Sequence, residues 1–219
     1  MRKNVLITAG PTREYLDPIR YVTNESSGYL GYLLAAEAKR RNCSVVLITG
    51  NHDLPVLAGV VYEYIRTARD LDRTIRKHIG TADILFMTSA VCDFYPAVFS
   101  QQKIKRTHRN DLVVRFRQNK DILRGLSTPR IKKNKIYVGF CIETKDVVRN
   151  AQRKLREKNL DYLVANQHTA ASSPFGRNDM KPVLLARDGT VKRHKRVSKK
   201  QFARMLVSQV FATFDREVS

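Results

Sequence analysis

No apolar run in the 219 residues approaches the roughly 20 that a membrane-spanning helix requires. The opening MRKNVLITAG is basic and then apolar, but its apolar part is short and reads on as a strand, which argues against a secretory signal. Cysteine is scarce: Cys43, Cys92 and Cys141 are odd in number, widely spaced and form no C-x-x-C pair. That pattern argues against a disulfide framework and for a reducing, cytoplasmic setting with buried or incidental thiols. Internal repeats, low-complexity tracts and flexible linkers are also missing, so one domain spanning 1–219 is expected. Acidic residues are few, 20 against 41 Lys and Arg, giving a formal net charge of +21. Such a charge invites a basic nucleic-acid-binding reading. Yet there is no zinc-finger spacing, no aromatic RNP-like strand and no basic region leading into heptads. The densest clusters, Lys103–Arg117, Arg130–Lys135 and Lys192–Lys200, read equally as solvated faces. Positive charge also suits small polyanionic substrates.

What is present is a strand–helix rhythm. Val5, Leu6 and Ile7 form a buried-strand run bounded by Gly10-Pro11, and Gly28–Arg41 has helical character with Ser26-Ser27 placed to cap it. Between them Thr12, Arg13, Asp17, Arg20, Thr23 and Asn24 make a loop too polar and too long for a plain connector. Loops after the first strand of an α/β sheet carry ligand chemistry, because helix N-termini attract anions, so a phosphate-handling site is the first expectation. Further strands are expected at Ser44–Thr49, Val60–Ile65, Ile84–Met87, Leu112–Gln118, Ile136–Cys141 and Tyr162–Ala165. Helices are expected at Ala68–Ile79, Asp121–Leu126 and Asp146–Lys158, with a basic loop over Pro96–Asn110. Alternation of this kind implies a mainly parallel α/β sheet. Val183–Ala186 and Val191–Arg193 flank Asp188-Gly189 as a β-hairpin, and Lys199–Phe214 reads as a terminal helix with Phe202, Met205, Leu206, Gln209 and Val210 on one side.

The segments TAGPTREYLDPIRYVTNESSGYLG, SAVCDFYPA, KIKR, VGFCIET and EKNLDYLVAN occur in that order. Together they resemble the phosphopantothenoylcysteine synthetase domain of coenzyme A biosynthesis. The resemblance implies a Rossmann-like three-layer αβα fold with a C-terminal β-hairpin and helix extension, and a flap around 96–111. It also implies a homodimer acting as a stand-alone synthetase, with a possible separate decarboxylase partner. The implied reaction joins 4′-phosphopantothenate to L-cysteine through an acyl-nucleotidylate, with CTP or ATP as co-substrate, Mg²⁺, and no flavin. The K-x-K flap motif leans to CTP.

Carried over residue by residue, the resemblance makes Asn24 and Lys103 catalytic. Asn24 would donate to a carbonyl or oxyanion without adding charge; otherwise it is a cap or turn former. Lys103 opens the K-x-K-K motif, here Lys103-Ile104-Lys105-Arg106, with arginine in the last place. By composition alone it is one exposed lysine among many. Arg20 and Gly28 would join Asn24 in binding substrate, Arg20 by gripping a phosphate bidentately, with an ion pair to Asp17 as its alternative. Nucleotide contacts are implied for Met87, Thr88, Ser89, Asp93, Lys103, Lys120, Asp121, Ile122, Leu123, Phe140, Lys154 and Lys158. Lys120 stands where the family has proline, Phe140 could be plain core, and Lys154 and Lys158 share one helical face. No metal ligand is identified. A nicotinamide oxidoreductase is the other enzyme reading, disfavoured because 10–28 is too long for a compact G-x-G-x-x-G turn and no Tyr has a Lys four residues later.

Overall fold

The apolar runs within VLITA, SVVLIT, ILFM, IYVGFC and YLVA each become a strand of one sheet. The computed structural model describes residues 2–51, 53–105, 111–169, 173, 175 and 179–218. In chain order its elements are β1 (Asn4–Ala9), β2 (Arg13–Tyr15), β3 (Tyr21–Thr23), α1 (Tyr29–Arg40), β4 (Ser44–Thr49), β5 (Val61–Tyr64), α2 (Ala68–His78), β6 (Ile84–Met87), β7 (Phe94–Pro96), β8 (Phe116–Gln118), α3 (Ile122–Leu126), α4 (Pro129–Lys132), β9 (Ile136–Glu143), α5 (Val147–Glu157), β10 (Tyr162–Gln167), β11 (Val183–Ala186), β12 (Val191–Arg193) and α6 (Lys199–Val218).

The central sheet has eight strands in the order β12-β11-β10-β9-β6-β1-β4-β5. From β10 to β5 every neighbouring pair is parallel, while β11 and β12 join antiparallel as the expected hairpin. Side chains alternate across the strands, so each strand feeds two cores. Val5, Ile7 and Ala9 pack with Leu34, Ala35 and Ala38 of α1 and with Phe202, Leu206 and Val210 of α6. Leu6 points the other way, into a core with Leu71 and Ile75 of α2, Leu126 of α3 and Ala151 and Leu155 of α5. The result is the αβα sandwich expected. Local signals agree with it: α2 starts on a capping box in which the Thr67 hydroxyl accepts from the Asp70 N–H and the Asp70 carboxylate accepts from Thr67.

Three local expectations need correction. The N-cap of α1 is Gly28, in the left-handed region at φ 69, rather than Ser26 or Ser27, although the Ser27 hydroxyl accepts at 3.4 Å from the N–H of Tyr29. A Cβ on Gly28 would sit 2.8 Å from the Gly10 nitrogen, so the close approach of two backbones leaves no room for serine. The strand expected over Leu112–Gln118 is only Phe116–Gln118, because among the described residues its strand partner is the three-residue β7, and Leu112 and Val113 are exposed. On α6, Met205 is exposed, and the buried stripe runs through Phe202, Ala203, Leu206, Val207, Val210, Phe211 and Phe214. The antiparallel pair β2–β3, the strand β7 and the short α4 are additions. Of the expected flap, residues 106–110, including Arg106, lie outside the described residues.

Candidate active site

From β1 the chain crosses to β4 on one side and later returns to β6 on the other. At such a reversal the loops leaving the carboxyl ends of the strands diverge, and a crevice opens between them. A cavity of about 470 Å³ lies there, walled by the start of α1, the stretch after β6, residues 118–123, the ends of β9 and β10, and one face of α5.

The wall after β6 is fastened to the segment after β1. The Ala90 N–H donates to the Gly10 carbonyl at 3.0 Å, the Thr12 N–H donates to the Ala90 carbonyl at 3.2 Å, and the Cys92 N–H donates to the Thr12 hydroxyl at 2.9 Å. Thr8 and Thr12 are fully buried, so these bonds replace water that the two loops would otherwise need. The Asn24 carboxamide nitrogen donates to the carbonyls of Ala90 at 3.3 Å and Val91 at 3.0 Å. Asn119 ties the facing wall in the same way: its side chain donates to the Cys92 carbonyl at 2.9 Å and its N–H to the Asp93 carbonyl at 2.7 Å. Gly31 lets α1 lie directly on this floor, since a Cβ would be 2.6 Å from both Ala9 Cβ and Thr88 Oγ1. The first-turn N–H groups of α1 have no carbonyl partner within the helix, which makes this cavity-lining end receptive to anions.

One wall atom is left over. Ser89 Oγ is buried without a hydrogen-bond partner among the described residues, and Ser89 lines the cavity. A buried hydroxyl in that state suits a ligand that supplies its partner.

The sequence-derived residues converge here. Asn24, Gly28, Met87, Thr88, Ser89, Asp93, Lys120, Asp121, Ile122, Leu123, Phe140, Lys154 and Lys158 all line the cavity. Their partners are less expected. Lys154 is held by Glu143 at 2.6 Å and Lys158 by Asp121 at 3.1 Å, while Asp121 also caps α3 by accepting from the Arg124 N–H. Asn24 has its amide donors on loop carbonyls rather than directed to a free oxyanion position. Arg20 and Lys103 are not in the wall. The Arg20 guanidinium donates to the Ile104 carbonyl and lies 3.7 Å from Asp17, so the ion-pair alternative for Arg20 holds. Lys103 is exposed, directly before the residue that Arg20 grips.

Other residues enter the site that were not singled out for it. Asn166, next to last in β10, lines the cavity, and a polar residue closing a buried apolar run is itself the signal. Lys199 lines the cavity at 6% exposure, and burial lowers its pKa; in the sequence it is one of many lysines in Lys192–Lys200. Cys141 is also in the wall, and burial pushes its thiol up to about 11, so it stays protonated at neutral pH. Among the described residues no three His, Cys, Asp or Glu side chains gather as a metal cage.

Residues 1–213 match the DNA/pantothenate metabolism flavoprotein C-terminal domain. The chain belongs to this family. Relatives of this C-terminal-domain family include the coenzyme A biosynthesis bifunctional protein CoaBC of Vibrio cholerae, 38% identical over 189 residues, covering 85% of this chain and 47% of that protein. The chain thus spans about half the length of the curated relatives it matches. The crystal structure of a CoaBC C-terminal domain superposes with a TM-score of 0.82 at 30% identity, covering 98% of this chain and 96% of that one. A Cab2 mutant in complex with phosphopantothenate-cysteine shares the fold, with a TM-score of 0.76 at 17% identity over 99% of this chain and 87% of that one.

Proposed function

We propose that the chain is the ligase that joins 4′-phosphopantothenate to L-cysteine by amide-bond formation in coenzyme A biosynthesis. The observation that carries the reading is the convergence on one cavity of residues from Asn24 to Lys158, which the resemblance marks in separate segments. CoaBC relatives, named for coenzyme A biosynthesis, support it.

A free carboxylate is too poor an acyl donor for an amine, so it is activated first. The phosphopantothenate carboxylate attacks the nucleotide α-phosphorus, pyrophosphate leaves, and an acyl-nucleotidylate forms. The cysteine amine then adds to the acyl carbon, and the nucleoside monophosphate leaves with the bonding electrons of the C–O bond. In this scheme Phe140 and Asp93 bracket base and sugar, and Met87–Ser89 and 120–123 contribute backbone groups and the unpartnered Ser89 hydroxyl. Lys154 and Lys158 exchange their carboxylate partners for phosphate oxygens. The start of α1, with Gly28, takes a further phosphate. Asn24 exchanges one of its bonds to the 90–91 carbonyls for the acyl oxygen, and Lys103 offsets charge on the transferring phosphate. With no carboxylate cage among the described residues, Mg²⁺ would be held chiefly by triphosphate oxygens, whose charge it neutralises when bound. The reaction moves no redox electrons and has no use for a flavin.

CTP is the expected nucleotide, with ATP as the alternative. The setting is the cytoplasm, with a separate decarboxylase supplying downstream chemistry. A homodimer is supported by the exposed apolar residues Tyr21, Val22, Phe94 and Phe116 of the two small strand pairs and by Val98 and Phe99 just after β7. The test is pyrophosphate release from purified protein with Mg²⁺, phosphopantothenate and CTP or ATP. Release that requires phosphopantothenate, and is faster with CTP, is expected; folded protein that releases none with either nucleotide contradicts the reading.

A further inference from the structure

The turn between β2 and β3 holds a carboxylate with two separate duties. Asp17 Oδ1 accepts from the N–H groups of Ile19 and Arg20, both at 2.8 Å, which closes the turn. Its other oxygen, Oδ2, accepts at 3.1 Å from the N–H of Ile104, far along the chain. Arg20, on the same turn, donates to the Ile104 carbonyl. Both backbone polar groups of Ile104 are therefore taken by one acid–base pair. A further bond runs from the Ser100 N–H to the Leu16 carbonyl at 2.9 Å. The Asp17 side chain is 0% exposed. Burial alone would raise its pKa, but the three N–H donors and the Arg20 charge outweigh it and hold the group below the ordinary value.

A turn of this kind needs one acceptor oxygen, which asparagine supplies as well. The second oxygen is what only a carboxylate brings, and it is spent on Ile104. The Ile104 N–H belongs to the peptide group bonded to the Lys103 Cα. Fixing the N–H and the carbonyl of Ile104 fixes the peptide planes on both its sides, and the first of these contains the Lys103 Cα, so the clamp sets where Lys103 stands on the backbone. From the same turn, β3 leads within four residues to Asn24 in the cavity wall.

We propose that Asp17 is a positioning residue that sets Lys103 relative to Asn24 by clamping Ile104 through the Asp17–Arg20 pair. This rests on the ligase reading given above. Asp17→Asn keeps the oxygen that closes the turn and turns an NH₂ toward the Ile104 N–H, so it cuts the clamp while leaving the turn. Ile104→Pro removes the same bond from its other end.

The experiment measures kcat and KM of both single variants and the double variant, well below their melting temperatures, with exchange protection of the Ile104 amide read in Asp17→Asn. Each single variant should lose about 10- to 100-fold in kcat, as for a misplaced catalytic group, with KM for the nucleotide and phosphopantothenate unchanged. The double variant should fall no further than the worse single, since both remove one interaction. Wild-type kcat in folded Asp17→Asn, or losses that multiply in the double variant, would overturn the proposal. If Asp17→Asn does not fold, Ile104→Pro decides alone: wild-type kcat overturns the clamp, and a kcat loss at constant KM supports it. Wild-type protein inactive on phosphopantothenate is a different result, which removes the ligase reading itself.

Discussion

Glu37 is 5% exposed on α1 and accepts from Arg40 at 2.8 and 2.9 Å and from Arg41 at 2.7 Å. The Arg40 hydrogen bonds first, and the Arg41 bond and both charges after them, outweigh burial and hold its carboxyl at about 2 against an ordinary 4.5. A depressed carboxylate contributes stability above its unfolded pKa and loses it as pH falls through the folded value. The Glu37 contribution is thus full above about pH 5 and fades between 4.5 and about 2. Thermal melts of wild type and Glu37→Gln should differ at neutral pH by about 2 kcal/mol, and the gap should close across that acid range. A gap independent of pH would contradict the assignment. Arg41 is the structural reason for the pair, since it also reaches the Arg204 carbonyl on α6 at 3.4 Å and lies 5.9 Å from the Phe211 ring.

Among the elements, those that bury a face were legible and those that do not were not. SVVLIT, ILFM and the DG hairpin fall where their patterns put them, because each run is closed by turn residues and filled by core on both faces or one. β2, β3 and β7 are three residues each, rich in charged and aromatic side chains; with β8, the short remainder of the strand expected at Leu112–Gln118, they pair only with one another among the described residues. The register of β2 and β3 is set by the turn at Asp17 and the bond from the Thr23 hydroxyl to the Thr12 carbonyl, which no local period reports. α6 was placed but its face was rotated in part. Met205 fits a stripe of spacing three and four with Phe202, yet the helix meets the sheet through Ala203, Val207 and Phe214 instead. Phe202 is 1% exposed in that contact, and Phe202→Ala should cost about 3–5 kcal/mol in denaturant unfolding. A loss under about 1 kcal/mol would mean that α6 is not part of the cooperative core.

At the scale of the whole molecule, the αβα sandwich serves to bring loops from distant segments to one end of a parallel sheet. The cavity members were legible through short motifs, and the sheet order explains why those motifs meet: β6, β9 and β10 are neighbours, so their carboxyl ends open on one crevice. Roles within the site were less legible, since Arg20, Asn24, Lys154 and Lys158 each have a protein partner that spacing could not reveal. Lys199 was hidden among basic residues because burial, not sequence, sets it apart. The net charge of +21 fits an enzyme whose proposed ligands are polyanions, without requiring nucleic acid.

The most direct test of the central claim follows the carboxylate oxygens. Phosphopantothenate labelled with ¹⁸O in its carboxylate is turned over with unlabelled nucleotide and L-cysteine, and the products are weighed by mass spectrometry. Activation as an acyl-nucleotidylate predicts that one labelled oxygen appears in the phosphate of the nucleoside monophosphate and the other stays in the amide. Label in inorganic phosphate, or amide formed without label in the monophosphate, would contradict it.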